Sequence, residues 1–195
     1  TFDSLCTNDG STIKIDSRLF ELAQSKAEEL VKHFKPKVVE RQRSGSQIQG
    51  VEERLLRMKE DQLTGQLAQL AGTVYMTGSD QMYRIQRWNC MQTPDRGDGG
   101  YDIPGLCLDW KGSRLRPGLQ PTSYVLPVRP RERKPDWTYC LVVVDARQSM
   151  AYCHIMGWVS DKELEGKLQT SGLFNGAHVV GYSELHPLPK LTWEL

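Results

Sequence analysis

Apolar positions along this chain change from a helical to a strand-like period near its middle. Leu19, Leu22, Ala23, Ala27, Leu30 and Val31 recur at helical spacing and predict an amphipathic helix. It starts at a cap on Asp16 or Ser17, runs through about His33, and is ended by Pro36. Residues 12–15 before it read as a short strand or extended entry. The stretch 40–50, with Arg41, Arg43, Ser44, Gly45 and Gln47, is polar and unpatterned and reads as a loop. A second helix is predicted from Val51 to about Met76, with Gly65 and Gly72 as candidate break points and Leu55, Leu56, Met58, Leu63, Leu67, Leu70 and Ala71 on its buried side. Small Gly65 and Ala68 would let it approach a sheet closely. Ser79 or Asp80 caps a further short helix through Trp88.

Beyond Trp88 the pattern turns to strands. Residues 93–100, Thr-Pro-Asp-Arg-Gly-Asp-Gly-Gly, are strongly turn-forming and lead into an expected hairpin over 101–112. A basic exit loop over 113–118 follows, and a second basic loop over 129–134. Trp137 and Tyr139 flank the second loop and read as core. Residues 140–144, Cys-Leu-Val-Val-Val, form a continuous apolar run, as expected of a central strand buried on both faces. Residues 152–159 form another strand with alternation around Gly157, joined to the first by a turn at 146–149. Residues 160–164 read as a capped helix start, and Ser183 to Pro189 as extended and loop-like. Together these elements predict an α/β fold in which a central mixed β-sheet is flanked by helices. It forms one domain: an N-terminal helical segment and loop over 1–50, a core over 51–165 and a C-terminal extension over 166–195.

Composition narrows the setting. At 195 residues, with 38% hydrophobic and 25% charged positions, the chain can bury a full core without disulfides or metals. No run of about eighteen apolar residues occurs, so no membrane partner is expected. The start, Thr1-Phe2-Asp3-Ser4, carries no basic-then-apolar signal pattern. The five cysteines, Cys6, Cys90, Cys107, Cys140 and Cys153, are odd in number and contain no C-x-x-C. They are expected as buried free thiols in a reducing, cytoplasmic setting. His33, His154, His178 and His186 lack metal-ligand spacing, which argues against zinc. A net charge of +1 excludes a uniformly basic nucleic-acid coat and shifts attention to local charge.

The chemically informative stretch runs from Gly99 to Lys111. Asp102 follows a glycine-rich turn. Asp109 and Lys111 stand two apart, so a strand points both to one face and Trp110 to the other. Mg²⁺, or Mn²⁺ in its place, takes oxygen ligands, and Asp102, Asp109 and the backbone carbonyl of Trp110 are the candidates to supply them. Lys111 would orient or deprotonate an attacking water, or stabilise developing negative charge. Partial burial and neighbouring positive charge would lower its pKa for that task. Arg114 and Arg116 in the exit loop, and Arg131 and Arg133 in the second basic loop, are the candidate contacts to a DNA backbone.

Asp102 followed by Asp109-Trp110-Lys111 resembles the D…(D/E)xK core of the PD-(D/E)xK, or restriction-endonuclease-like, nuclease superfamily. The resemblance covers roughly residues 62–158. It includes Ile155-Met156-Gly157-Trp158-Val159-Ser160, similar to the apolar strand ending in a Gly-aromatic pair that relatives place before a helix. It implies a metal-dependent deoxyribonuclease that hydrolyses phosphodiesters to 5′-phosphates, with DNA as partner. Relatives that cut both strands often work as homodimers. Two departures stand out: Tyr101 replaces the usual proline, and Gln66 falls where a G-E-x-A pattern would place glutamate on the preceding helix. Gln66 is then expected to assist as an uncharged oxygen ligand; Glu60 and Asp61 could substitute only if the helix register allowed it. The alternative that Gln66 motivates is a non-catalytic module that keeps the nuclease fold and binds nucleic acid or protein. No G-x-S-x-G, Walker A or H-E-x-x-H pattern supports another hydrolase.

Overall fold

A computed structural model describes residues 12–43, 51–84 and 106–188. Asp102, the turn at 93–100, Cys6 and Cys90 lie outside the described residues, as does the first strand of the expected hairpin.

The chain opens with β1 (Thr12–Ile15), which feeds directly into α1 (Ser17–Arg43). Asp16 Oδ1 accepts the Leu19 N–H at 2.9 Å, satisfying one of the amides that a helix start leaves without an internal partner. Pro36 does not end α1, which continues to Arg43 and takes up part of the expected loop. Proline removes one N–H and crowds the preceding turn, a cost that kinks helices as often as it stops them. The second helix, α2 (Val51–Thr77), matches its expected span within a residue. Beyond it the described part of the short third helix covers residues 81–84.

The main sheet contains β1, β2 (Leu108–Arg114), β4 (Thr138–Ala146) and β5 (Ala151–Ser160), in the order β1-β5-β4-β2. β5 pairs antiparallel with both β1 and β4, while β2 runs parallel to β4, so the sheet is mixed and the fold is α/β as expected. A parallel neighbour requires a crossover. Here that crossover contains β3 (Val125–Val128), which pairs antiparallel with β6 (His178–Gly181) in a separate two-stranded sheet. Neither short strand was expected; each spans four residues, and Pro127 interrupts the first.

β4 is buried on both faces. Cys140, Val142 and Val144 pack with Ile13, Leu67, Leu70, Val74 and Trp110 beneath the helices. Tyr139, Leu141 and Val143 pack with Leu126, Val128, Trp137 and Val180 beneath the small sheet. The layers are therefore helices, main sheet and small sheet. Trp137 and Tyr139 are core, as read from the sequence.

Other expectations need correction. The segment after β5 makes only a 3-10 turn, Lys162–Leu164, in place of a crossover helix. Gly166 takes a left-handed φ of 75°, and Leu168 then bridges to His178, which draws the chain into the small sheet. Cys107 is exposed, whereas Cys140 and Cys153 are buried free thiols; burial pushes the Cys153 thiol far above its ordinary value. No helix among the described residues is long and apolar enough to cross a membrane.

Close approach of α2 to β2 depends on glycines other than the expected one. A Cβ on Gly65 would meet nothing within 4 Å. A Cβ on Gly72 would lie 2.2 Å from the Trp110 indole, and one on Gly112 would lie 2.7 Å from the Thr64 carbonyl oxygen. Helix propensity alone would favour Gly72→Ala by about 1 kcal/mol. The indole is buried, 4% exposed, and a Cβ would overlap it, so Gly72→Ala should instead destabilise the protein by about 1–3 kcal/mol, read as a lower urea midpoint at unchanged slope. A raised midpoint would show that α2 and β2 can separate at little cost.

Candidate active site

β2 alternates as its sequence requires. Trp110 is buried under α2, and Asp109 and Lys111 project from the opposite face with side chains 22% exposed. Lys111 Nζ lies 2.8 Å from Asp109 Oδ2 and 3.1 Å from Glu132 Oε2. One ammonium thus joins two carboxylates from separate parts of the chain.

Glu132 was not singled out from the sequence. It closes the 3-10 turn Pro130–Glu132 at the end of β3. Its N–H donates to the Arg129 carbonyl at 2.9 Å, and its Oε2 accepts the Arg129 N–H at 3.4 Å. The Tyr139 hydroxyl on β4 accepts the Lys134 N–H at 2.8 Å and stands 3.3 Å from the Glu132 carbonyl. Tyr139 is also the β4 register partner of Asp109. The turn is therefore fastened to the strand that carries the site. The available signal was one acid, three positions after Arg129, inside an otherwise basic Pro-containing loop.

The electrostatics overturn one expectation. Burial acts to lower the Lys111 pKa, but the charges and hydrogen bonds of Asp109 and Glu132 together outweigh it, and the ammonium is held above its ordinary value. Lys111 is a fixed cation and hydrogen-bond donor, not a base primed to lose its proton. Its neighbours are carboxylates, where the sequence reading had expected positive charge.

Gln66 is not brought to this face. α2 sets Thr64, Ala68 and Gly72 against β2. A residue two positions from Thr64 is turned about 200° around the helix. Gln66 Oε1 accepts the buried Tyr83 hydroxyl at 2.9 Å. Lys26 Nζ lies 4.6 Å from the Tyr83 ring centroid and 3.4 Å from Gln69 Oε1 in the same buried polar group. The expected role of Gln66 beside the metal is therefore replaced by one inside the helix layer. Glu60 pairs instead with Arg114 at 2.7 Å.

The four arginines divide by how firmly each is held. Arg133 grips Asp161, with Nε 2.9 Å from Oδ1 and Nη2 2.9 Å from Oδ2, and also bonds the Asp161 carbonyl at 2.9 Å. That bidentate, partly buried pair is structural, and it already engages the guanidinium that the sequence reading offered to DNA. Arg114 is exposed, and its pair with Glu60 is of the weak surface kind. Arg116 and Arg131 are exposed and make no ion pair among the described residues.

The donors at the edge suit a hard cation. The Cys107 carbonyl accepts the Thr138 N–H and the Leu115 N–H reaches the Val144 carbonyl. In a parallel ladder this assigns the bonds to β4 to the odd-numbered residues of β2, so the Trp110 carbonyl is directed away from β4. Asp109 and Glu132 offer only oxygen, and Mg²⁺ commonly takes one or two carboxylates and leaves room for water and phosphate. Among the described residues no three His, Cys, Asp or Glu side chains gather into a cation cage. No family model, curated protein or solved structure matches this chain.

The Arg133 guanidinium holds the Asp161 carboxyl below its ordinary pKa. The pair's stabilisation is therefore present above the unfolded carboxylate pKa and is lost as pH falls through the folded one. Asp161→Asn should cost about 1–3 kcal/mol near neutral pH and flatten the acid limb of stability. Urea unfolding from neutral to acidic pH checks this, and parallel curves for the two proteins would refute it.

Proposed function

We propose that this chain is a divalent-metal-dependent DNA nuclease with a restriction-endonuclease-like core, cutting phosphodiesters at the β2 edge. The observation that carries the reading is Asp109 beside Lys111 on the half-buried face of a strand. Asp109, the Trp110 carbonyl and Asp102, which lies outside the described residues, would hold Mg²⁺ or Mn²⁺. Such an ion, when bound, lowers the pKa of a coordinated water and offsets charge at phosphorus.

The remaining work falls to this chain's own groups. Lys111, kept protonated by two carboxylates, donates hydrogen bonds that orient the attacking water or stabilise charge on the phosphate oxygens. Arg116 and Arg131 supply backbone contacts, and Arg114 can exchange Glu60 for a phosphate. A binding module that retains the fold is the second reading. It is favoured by one observation: Gln66, at the position where relatives place an acid, is engaged by Tyr83 in the helix layer.

Cleavage of supercoiled plasmid and linear duplex with Mg²⁺, Mn²⁺ or EDTA separates the two readings. The nuclease reading expects cutting that EDTA abolishes and that Asp109→Ala and Lys111→Ala each reduce by about a hundredfold or more. Folded protein that binds duplex but cuts under no metal would transfer the assignment to the binding module. Full metal-dependent activity in Asp109→Ala would show that the site is misplaced.

A further inference from the structure

We propose that Glu132 is a positioning residue that sets metal affinity by receiving the Lys111 ammonium when a cation takes Asp109. The inference rests on the reading of Asp109 as a metal ligand. It adds a residue from another part of the chain, with a function exerted through Lys111.

In the structure the Lys111 ammonium occupies Asp109 Oδ2 at 2.8 Å. A divalent cation at Asp109 competes with this ammonium for Oδ2 and repels it from Oδ1. The Lys111 side chain is only 22% exposed, so moving its ammonium costs less where a second carboxylate receives it. Glu132 Oε2, at 3.1 Å, is already in place to receive it. With three donors the ammonium can satisfy both carboxylates in the metal-free protein and rely on Glu132 once Asp109 is engaged elsewhere. Glu132 thus reduces the cost of freeing Asp109.

The scaffold supports this as a built feature. Pro130 opens the turn that carries Glu132, the Arg129 N–H reaches its Oε2, and the Tyr139 hydroxyl ties the turn to β4. The small sheet brings the turn to the site, since Val128, two residues before Pro130, is paired with His178.

The test is Mn²⁺ binding to the full chain, followed by electron paramagnetic resonance and calorimetry without DNA. Asp109→Ala should abolish the site. Glu132→Gln should weaken binding about tenfold, a size typical of directly coupled charges. Lys111→Met removes the internal competitor and should bind Mn²⁺ more tightly than wild type. In the Lys111→Met background, Glu132→Gln should change affinity by less than about twofold, because the group through which Glu132 acts is gone. Glu132→Asp, which keeps the charge but withdraws the carboxylate, should weaken binding as Glu132→Gln does and replaces it if that variant fails to fold. Unchanged affinity in folded Glu132→Gln or Glu132→Asp would overturn the proposal. So would a tenfold loss that persists without Lys111, which would make Glu132 a direct ligand. Absence of any Mn²⁺ site lost in Asp109→Ala would instead overturn the metal reading itself, and this inference with it.

Discussion

The orientation of β2 rests on the burial of Trp110 against α2. Side chains on a strand alternate strictly, so a one-residue slip would carry Asp109 and Lys111 under the helices and send Trp110 outward. Exposing a core indole costs roughly 3–5 kcal/mol, judged from truncations of buried aromatics. Moving a carboxylate and an ammonium into the helix-facing core would add a desolvation penalty of several kcal/mol per ion. These terms act in the same direction, and Gly72 and Gly112 supply the room that lets the indole and helix meet. The chemistry on one face of β2 is thus fixed by the packing on the other.

The same sheet carries charge pairs of different character. Arg133 and Asp161 make a bidentate contact backed by a bond to a main-chain carbonyl, an arrangement that fixes both groups. Arg114 and Glu60 are a pair of exposed side chains, and solvent screens their attraction. Lys111 stands between these cases. Its burial opposes charge, yet two carboxylates restore it, so it is held firmly without being locked to either partner. Only this kind of pair can be rearranged by a third charge while remaining organised in its absence.

How much of this was legible in the sequence follows from the range of each interaction. The period of Leu63, Leu67 and Leu70 drew α2, and the unbroken run Cys140 to Val144 drew a strand covered on both faces. The shared face of Asp109 and Lys111 was legible for the same reason, since two-residue alternation is local. What failed depended on distant partners. Gln66 has the spacing of a site residue, but its direction is set by helix rotation against β2 and by the Tyr83 hydroxyl, seventeen positions away. Glu132 reaches Lys111 across twenty-one positions because β3 pairs with β6, and four-residue strands, the first interrupted by Pro127, leave almost no periodic trace. The pKa of Lys111 was misjudged because the attraction of Asp109, already beside it in sequence, was not set against burial, and Glu132 adds to it from afar.

The parallel pairing of β2 gives its location a further meaning. Side chains of odd and even residues divide between the two faces, while main-chain groups lie in the plane of the sheet. The odd residues bond to β4, which leaves the even-numbered carbonyls directed to the other side of the strand. Trp110 therefore has a double part. Its indole anchors the strand to α2, and its carbonyl is directed away from β4. The bracing helix, the parallel ladder and the Asp109–Lys111 pair consequently form one constraint, in which packing, backbone direction and charge are set together by consecutive residues.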